Sequence, residues 1–282
     1  MWLFLALTSA IVFGLAGFGM KMGQMRGVPS SMVLVGLYLS GTLGFLITWW
    51  NAGAVTAWSV IIAGLIIGIG SAGGNYAFMK AIESGPASLT SPIINMNVVL
   101  VIGMSVFVYG ETIGLTKMLG VALFLIAIIL IAIKPGKGKG TTTSAFWFGM
   151  VVLSTLLFAV RNGGLKVTQE LAMDNSAVLF FSYLIPTIYF LVRYRAELMK
   201  LKTGEIVPQL GWGLVSGLGS FGGMQLYAYA LSQGPASIIS PVFSLYGLVI
   251  VLLSVGVYKE RLTALQTMAV ALTFVGLILV KF

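Results

Sequence analysis

Along most of this chain apolar residues fill whole stretches, broken at intervals by short runs of charge, glycine and proline. A backbone crossing hydrocarbon must satisfy its polar groups internally, which takes a helix of about 20 predominantly apolar residues. Ten stretches meet that requirement: 2-21, 31-50, 57-79, 86-109, 115-133, 145-165, 176-194, 208-230, 235-257 and 263-280. The pattern predicts an all-α membrane protein with ten transmembrane helices. The longest break runs from Lys134 to Thr143, mixing lysine, glycine and a helix-stopping proline. It divides the chain into a first five-helix repeat (1-134), a linker (135-143) and a second five-helix repeat (144-282).

The halves repeat each other. A shift of 149 positions carries Gly64, Gly68, Gly70, Ser71, Gly73 and Gly74 onto Gly213, Gly217, Gly219, Ser220, Gly222 and Gly223. The same shift carries Gly85-Pro86-Ala87-Ser88 onto Gly234-Pro235-Ala236-Ser237, Ser91-Pro92 onto Ser240-Pro241, Tyr109 onto Tyr258 and Glu111 onto Glu260. In the first span the shift is 145, pairing Trp2 with Trp147 and Lys21 with Lys166. Because the mate of the first span lies mid-chain, and residues 2-20 follow no basic stretch, that span is expected to be a membrane helix rather than a cleaved signal. An odd number of spans per repeat gives the second repeat the opposite orientation, so the expectation is two inverted five-helix repeats.

Composition agrees with lipid as the main solvent. Of 282 residues, 59% are hydrophobic and 8% charged, and the mean hydropathy is +1.04; soluble domains carry about 25% charged residues. The net charge of +9 comes from 16 basic residues set mostly in the connections. That distribution suits anionic headgroups and argues against nucleic acid. Twelve of the basic residues fall beside the odd-numbered connections, against Lys117, Lys166 and Lys281 on the other side, which predicts both termini outside. Cysteine and histidine are absent, so nucleophile-base dyads and most transition-metal sites lose their usual members. No enzyme activity, catalytic residue, cofactor or metal is expected.

The candidate chemistry is polar and intramembrane. Polar side chains at mid-membrane depth must face protein or water. Ser88, Ser91 and Asn95 share one face of the fourth span, as Ser237, Ser240 and Ser244 do in the ninth. Ser71, Asn75 and Phe78 share a face of the third span, matched by Ser220, Met224 and Tyr227 in the eighth. Asn97 and its mate Tyr246 lie about 200° round from Asn95 and Ser244. Arg161 is the one strong charge inside a span, flanked by Asn162; it either snorkels past Lys166 to the interface or clamps an anion. The candidate cavity residues are thus Asn75, Phe78, Asn95, Asn97, Arg161, Asn162, Tyr227, Ser244 and Tyr246, with Pro92 and Pro241 as kink or hinge positions. No carboxylate lies deep in a span, which favours facilitated diffusion or exchange over proton coupling.

The Gly-rich third span of each repeat, Gly-Pro-Ala-Ser, the internal Ser-Pro, and the closing Tyr-Gly-Glu111-Thr and Tyr-Lys-Glu260-Arg together resemble the EamA-type family of the drug/metabolite transporter superfamily, over essentially the whole chain. The resemblance implies a ten-helix bundle with a central cavity lined by spans one, three, four, six, eight and nine. It implies export or exchange of amino acids, other metabolites or drugs, and both termini in the cytoplasm, where the charge distribution implies the reverse. The expected function is a secondary transporter moving a small metabolite, such as an amino acid or related compound, by alternating access. Multidrug efflux and a non-transporting scaffold or receptor are the alternatives. A small-molecule substrate, membrane lipid, and a monomer or weak homo-oligomer in a bacterial or archaeal cytoplasmic membrane complete the expectation.

Overall fold

A computed structural model describes residues 1-53, 56-84, 94-132, 145-258 and 264-281. Among them the regular elements are all helices: α1 (Trp2–Met25), α2 (Ser30–Ala52), α3 (Trp58–Ser84), α4 (Asn97–Phe107), α5 (Leu115–Ala132), α6 (Ala145–Glu170), α7 (Asn175–Arg193), the single turn α8 (Arg195–Leu198), α9 (Thr203–Leu231), α10 (Ala236–Ser244), α11 (Tyr246–Tyr258) and α12 (Ala264–Lys281). Trp2–Met25, Ser30–Ala52, Trp58–Ala81, Ala145–Glu170 and Asn175–Arg193 are long and apolar enough to cross a membrane. The expected linker lies outside the described residues.

Helix ends follow local chemistry. The Asp174 carboxylate accepts from Ala177 N–H at 2.9 Å and starts α7, and Gly53, with φ +56°, ends α2 in the left-handed conformation. Several boundaries differ from those expected: α1, α3 and α6 run four or five residues further and α9 begins five earlier. Helix α6 continues to Glu170 instead of stopping at 165, so Lys166 is not an end residue but lies inside the helix and is buried. The ninth apolar stretch is two helices, α10 and α11, interrupted at Leu245. The fourth is interrupted at the equivalent Met96, where α4 begins.

Helices pack chiefly against the other repeat. Helix α1 lies along α9 as α6 lies along α3; α2 also packs on α9, as α7 does on α3; α5 pairs with α12 and α4 with α10. The pairings among α1, α2, α3, α6, α7 and α9 map onto one another under the sequence shifts of 145 and 149, and that of α5 with α12 maps onto itself.

The glycines of α3 and α9 explain the partners. Gly64 and Gly68 face α7, and Gly70, Gly73 and Gly74 face α6; Gly213 and Gly217 face α2, and Gly219, Gly222 and Gly223 face α1. A Cβ at Gly70 would lie 2.7 Å from the Leu157 carbonyl oxygen and 2.9 Å from the Arg161 amide nitrogen. One at Gly217 would fall on Ser40 Oγ and the Leu37 carbonyl. Lipid tails are as apolar as leucine, so helices gain by close backbone contact and by hydrogen bonds made possible at that range. Ser9 donates to the Gly223 carbonyl at 2.7 Å, and its mate Ser154 donates to the Gly74 carbonyl at 2.9 Å.

Replacing Gly217 by Ala should therefore destabilise the protein by about 1–3 kcal/mol through overpacking. Gly211→Ala on the same helix, where a Cβ meets nothing within 4 Å, should be neutral or slightly stabilising. Thermal unfolding of the two variants in detergent micelles makes the comparison.

Candidate functional site

Buried polar and aromatic side chains from both repeats meet between α2, α3, α6, α7, α9, α10 and α11. Tyr38 of α2 receives a 2.7 Å hydrogen bond from Asn75 Nδ2 and shares another of 2.8 Å with Ser71 Oγ, both on α3. Its repeat mate Tyr183 shares a 2.6 Å hydrogen bond with Ser220, the mate of Ser71. The two tyrosine rings lie 5.5 Å apart, and the mates Thr42 and Thr187 join hydroxyl to hydroxyl at 2.7 Å. These self-paired contacts mark where the repeats meet.

Beside them the symmetry stops. Arg161 on α6 is 5% exposed, and its guanidinium lies over the Phe158 ring at 4.5 Å and the Phe13 ring at 5.6 Å. Nε donates to Asn162 Oδ1 at 3.0 Å. Asn162 Nδ2 donates to Asn97 Oδ1 at 2.9 Å, and Asn97 Nδ2 donates to the Ile94 carbonyl at 2.7 Å. Among the described residues neither Nη nitrogen of Arg161 has an acceptor and no carboxylate pairs with it. A five-residue advance from Arg161 to Lys166 would allow snorkelling, but burial between two aromatic rings holds the guanidinium inside.

The other expected residues divide into two groups. Tyr246 donates to Asn95 Oδ1 at 2.7 Å. Tyr227 shares a 2.8 Å hydrogen bond with Ser240 and stacks on Phe243 at 4.4 Å. Phe243 in turn meets Phe13 at 5.1 Å, and Phe13 meets Tyr246 at 5.2 Å. These residues join the Arg161 cluster through aromatic contact. Asn95 and Asn97 are both buried and bond to different helices, as their separation round the segment requires. Ser244 spends its hydroxyl on the Ser240 carbonyl within α10, and Phe78 packs in an apolar cluster with Ala81, Ile94, Trp147 and Phe158. Pro241 lies inside α10, four residues before the interruption at Leu245; Pro92 lies outside the described residues. The two best-formed cavities among the described residues, about 560 and 410 Å³, are lined by Tyr76, Lys80, Ser84, Phe146 and Met150, and by residues around Arg26 and Trp212. Neither contains a member of the cluster.

A second cluster joins the repeats at the side where spans four and five connect. The Glu111 carboxylate accepts from the Ala236 and Ser237 amides at 3.0 and 2.9 Å, capping the N-terminus of α10. It also meets Lys166 Nζ at 2.8 Å. Lys166 bonds Glu170 as well and lies 5.4 Å from the Tyr109 ring centroid. The sequence reading took Glu111 as a family marker and Lys166 as a helix end; neither Tyr38, Tyr183 nor this bridge was anticipated. Their signal was present, because the 145 shift continues into the second span and aligns Ser31 with Ser176, Tyr38 with Tyr183, Thr42 with Thr187 and Phe45 with Phe190. Glu260, the mate of Glu111, lies outside the described residues.

Burial pushes the Glu111 carboxyl up, but the Lys166 ammonium and the two α10 amides more than offset this, and the group sits below the usual carboxylate range. A depressed folded pKa contributes stability that is complete above the unfolded value and is lost as pH falls through the folded one. Thermal stability should therefore decline below the ordinary carboxylate range, at about pH 4 and under. Glu111→Gln should be less stable at neutral pH and show a weaker decline. Melting curves from about pH 7 to about pH 3 for the two proteins measure the difference.

The comparisons with known proteins bear on what this frame is. One solved structure, titled only as a crystal structure of a protein, matches with a TM-score of 0.77 and 14% sequence identity, covering 99% of this chain and 94% of its own; it shows the fold alone. Among curated proteins none is significantly similar in sequence. The family model for the EamA-like transporter family matches residues 1-133 and again 143-282. Two matches on one chain agree with the internal repeat. The chain is a multi-pass integral membrane protein and belongs to the EamA-like transporter family, within the drug/metabolite transporter superfamily.

Proposed function

We propose that the protein is a secondary transporter that moves a small metabolite, an amino acid or related compound, by alternating access between two inverted repeats. Export, exchange and facilitated diffusion are the modes that suit a chain without a deep intramembrane acid. The observation that carries this reading is the Glu111 bridge: a carboxylate of the first repeat caps a helix of the second and pairs with its Lys166. Such a contact holds one side closed and must break for that side to open. By the charge distribution this is the side opposite the lysine- and arginine-rich connections.

The central cluster suits a site reached alternately from either side. Its amide and phenol groups are hydrogen-bonded to one another and to serines of neighbouring helices. The interruptions at Met96 and Leu245, following Pro92 and Pro241 in sequence, are the natural points of bending. A chain of defined hydrogen bonds favours one metabolite over a broad set of drugs, because a ligand that leaves buried donors unmatched loses affinity.

Flux in reconstituted liposomes tests the reading. The chain has no cysteine, so Glu111→Cys with Ser237→Cys can be joined by a short bifunctional thiol reagent. Cross-linking should stop flux, and a reducible linker should restore it on cleavage. Flux that continues through the cross-link would remove the bridge from the cycle. Pro241→Ala should slow flux several-fold with nearly unchanged substrate affinity, read from initial rates against concentration.

A further inference from the structure

A guanidinium buried in a membrane protein without a counter-charge is costly unless something anionic joins it. Arg161 is in that position. Rings cover its faces, with Phe158 at 4.5 Å and Phe13 at 5.6 Å, and Nε is spent on Asn162. What is left is the Nη edge, whose nitrogens have no acceptor among the described residues. That edge matches a carboxylate, which guanidinium binds in its own plane through two parallel hydrogen bonds.

The surroundings limit the rest of the ligand. Phe13, which meets the guanidinium at 5.6 Å, joins Phe243 and Tyr246 in one aromatic cluster beside it. Those rings suit an apolar or aromatic body. Lys166, the nearest basic residue along α6, is already engaged by Glu111 and Glu170. One free positive charge balances a monoanion and leaves a dianion unbalanced. An α-ammonium group would find no carboxylate in the cluster among the described residues to balance its charge. The amide oxygens nearby each already accept one hydrogen bond: Asn162 Oδ1 from Arg161, Asn97 Oδ1 from Asn162, and Asn95 Oδ1 from Tyr246.

We propose that the substrate is a monocarboxylate with an apolar or aromatic body and no α-ammonium group, its carboxylate held by the Nη edge of Arg161. This rests on the transport reading of the same site and narrows it. Asn162 is a positioning residue, fixing the guanidinium through Nε and itself fixed by Asn97.

The test uses the full chain purified in detergent, with 3-phenylpropionate as probe beside the neutral 3-phenylpropanamide, zwitterionic phenylalanine and dianionic phenyl phosphate. Binding is read by titration calorimetry and thermal shift. The acid should bind about tenfold or more tightly than each of the other three, as a charge-assisted bidentate contact requires. Arg161→Gln should erase the preference for acid over amide, and Arg161→Lys should keep part of it. Equal binding of acid and amide, tighter binding of phenylalanine or phenyl phosphate, or no binding of a series of monocarboxylates from acetate to 3-phenylpropionate would each overturn the assignment. If Arg161→Gln fails to fold, the four-ligand comparison on the unaltered protein decides. Liposome uptake of labelled 3-phenylpropionate separates the two levels. Selective binding without uptake would sink the transport reading and keep the ligand class, whereas uptake of other solutes without carboxylate preference would sink the ligand class alone.

Discussion

Backbone contact between helices, with no side chain between them, is the constraint from which the interior of this protein follows. In lipid a helix gains little by trading one apolar neighbour for another, so specificity has to come from close packing and from the hydrogen bonds that closeness permits. At Gly70 the backbone of α3 meets the Leu157 carbonyl and the Arg161 amide directly. That contact fixes where α6 presents Arg161. The same glycine-rich face brings Gly74 within reach of Ser154, and its repeat mate brings Gly223 within reach of Ser9. One residue further on, about 100° round the helix, α3 offers Ser71 and Asn75 to Tyr38. A Cβ inserted at the start of this sequence would move every polar contact that depends on it.

The side-chain contacts that link the repeats have two characters. Near the centre they are neutral and self-paired, Tyr38 against Tyr183 and Thr42 against Thr187. If the two halves rock as proposed, contacts between equivalent residues would keep similar geometry. At the periphery Glu111 makes a charged contact with groups that are not its equivalents, Lys166 and the start of α10. A contact of that kind distinguishes one arrangement from another, because it is either made or broken. In the proposed cycle the self-paired seam would serve as a pivot and the Glu111 bridge as a latch.

Much of the frame was legible in the sequence because helices in lipid are long and uniformly apolar, and because the repeat is preserved in glycine, where substitution is least tolerated. The glycine faces, the inward run of Ser237 and Ser240, and the buried Asn95, Asn97 and Asn162 followed from spacing alone. What escaped were residues whose role depends on a distant partner. Tyr38 and Tyr183 look like ordinary span tyrosines until the repeat shift is carried into the second span. Lys166 reads as a helix end because lysine usually marks one, and its burial becomes intelligible only when Glu111, 55 residues earlier, is brought beside it. Ser244 and Phe78 share the spacing of cavity residues, yet a helix carbonyl takes the first and an apolar cluster the second. Periodicity names a face and leaves its occupant open.

Repeat symmetry also explains why the chemistry is concentrated in one residue. The mate of Arg161 is Ala16, and the mate of Asn162 is Gly17. Two buried guanidiniums facing one another across the interface would double the desolvation cost and add mutual repulsion. A single one costs less and gives the site a direction. The backbone frame can remain nearly symmetric, as the proposed alternation between two open forms would require. The decoration cannot, because a site that must tell one end of a ligand from the other needs different groups at its two ends. Here the second repeat brings the charge on α6, while the first brings Phe13 as part of the ring enclosure and Asn97 as the brace for Asn162. Each repeat is therefore incomplete without the other, and a substrate held as proposed would touch both.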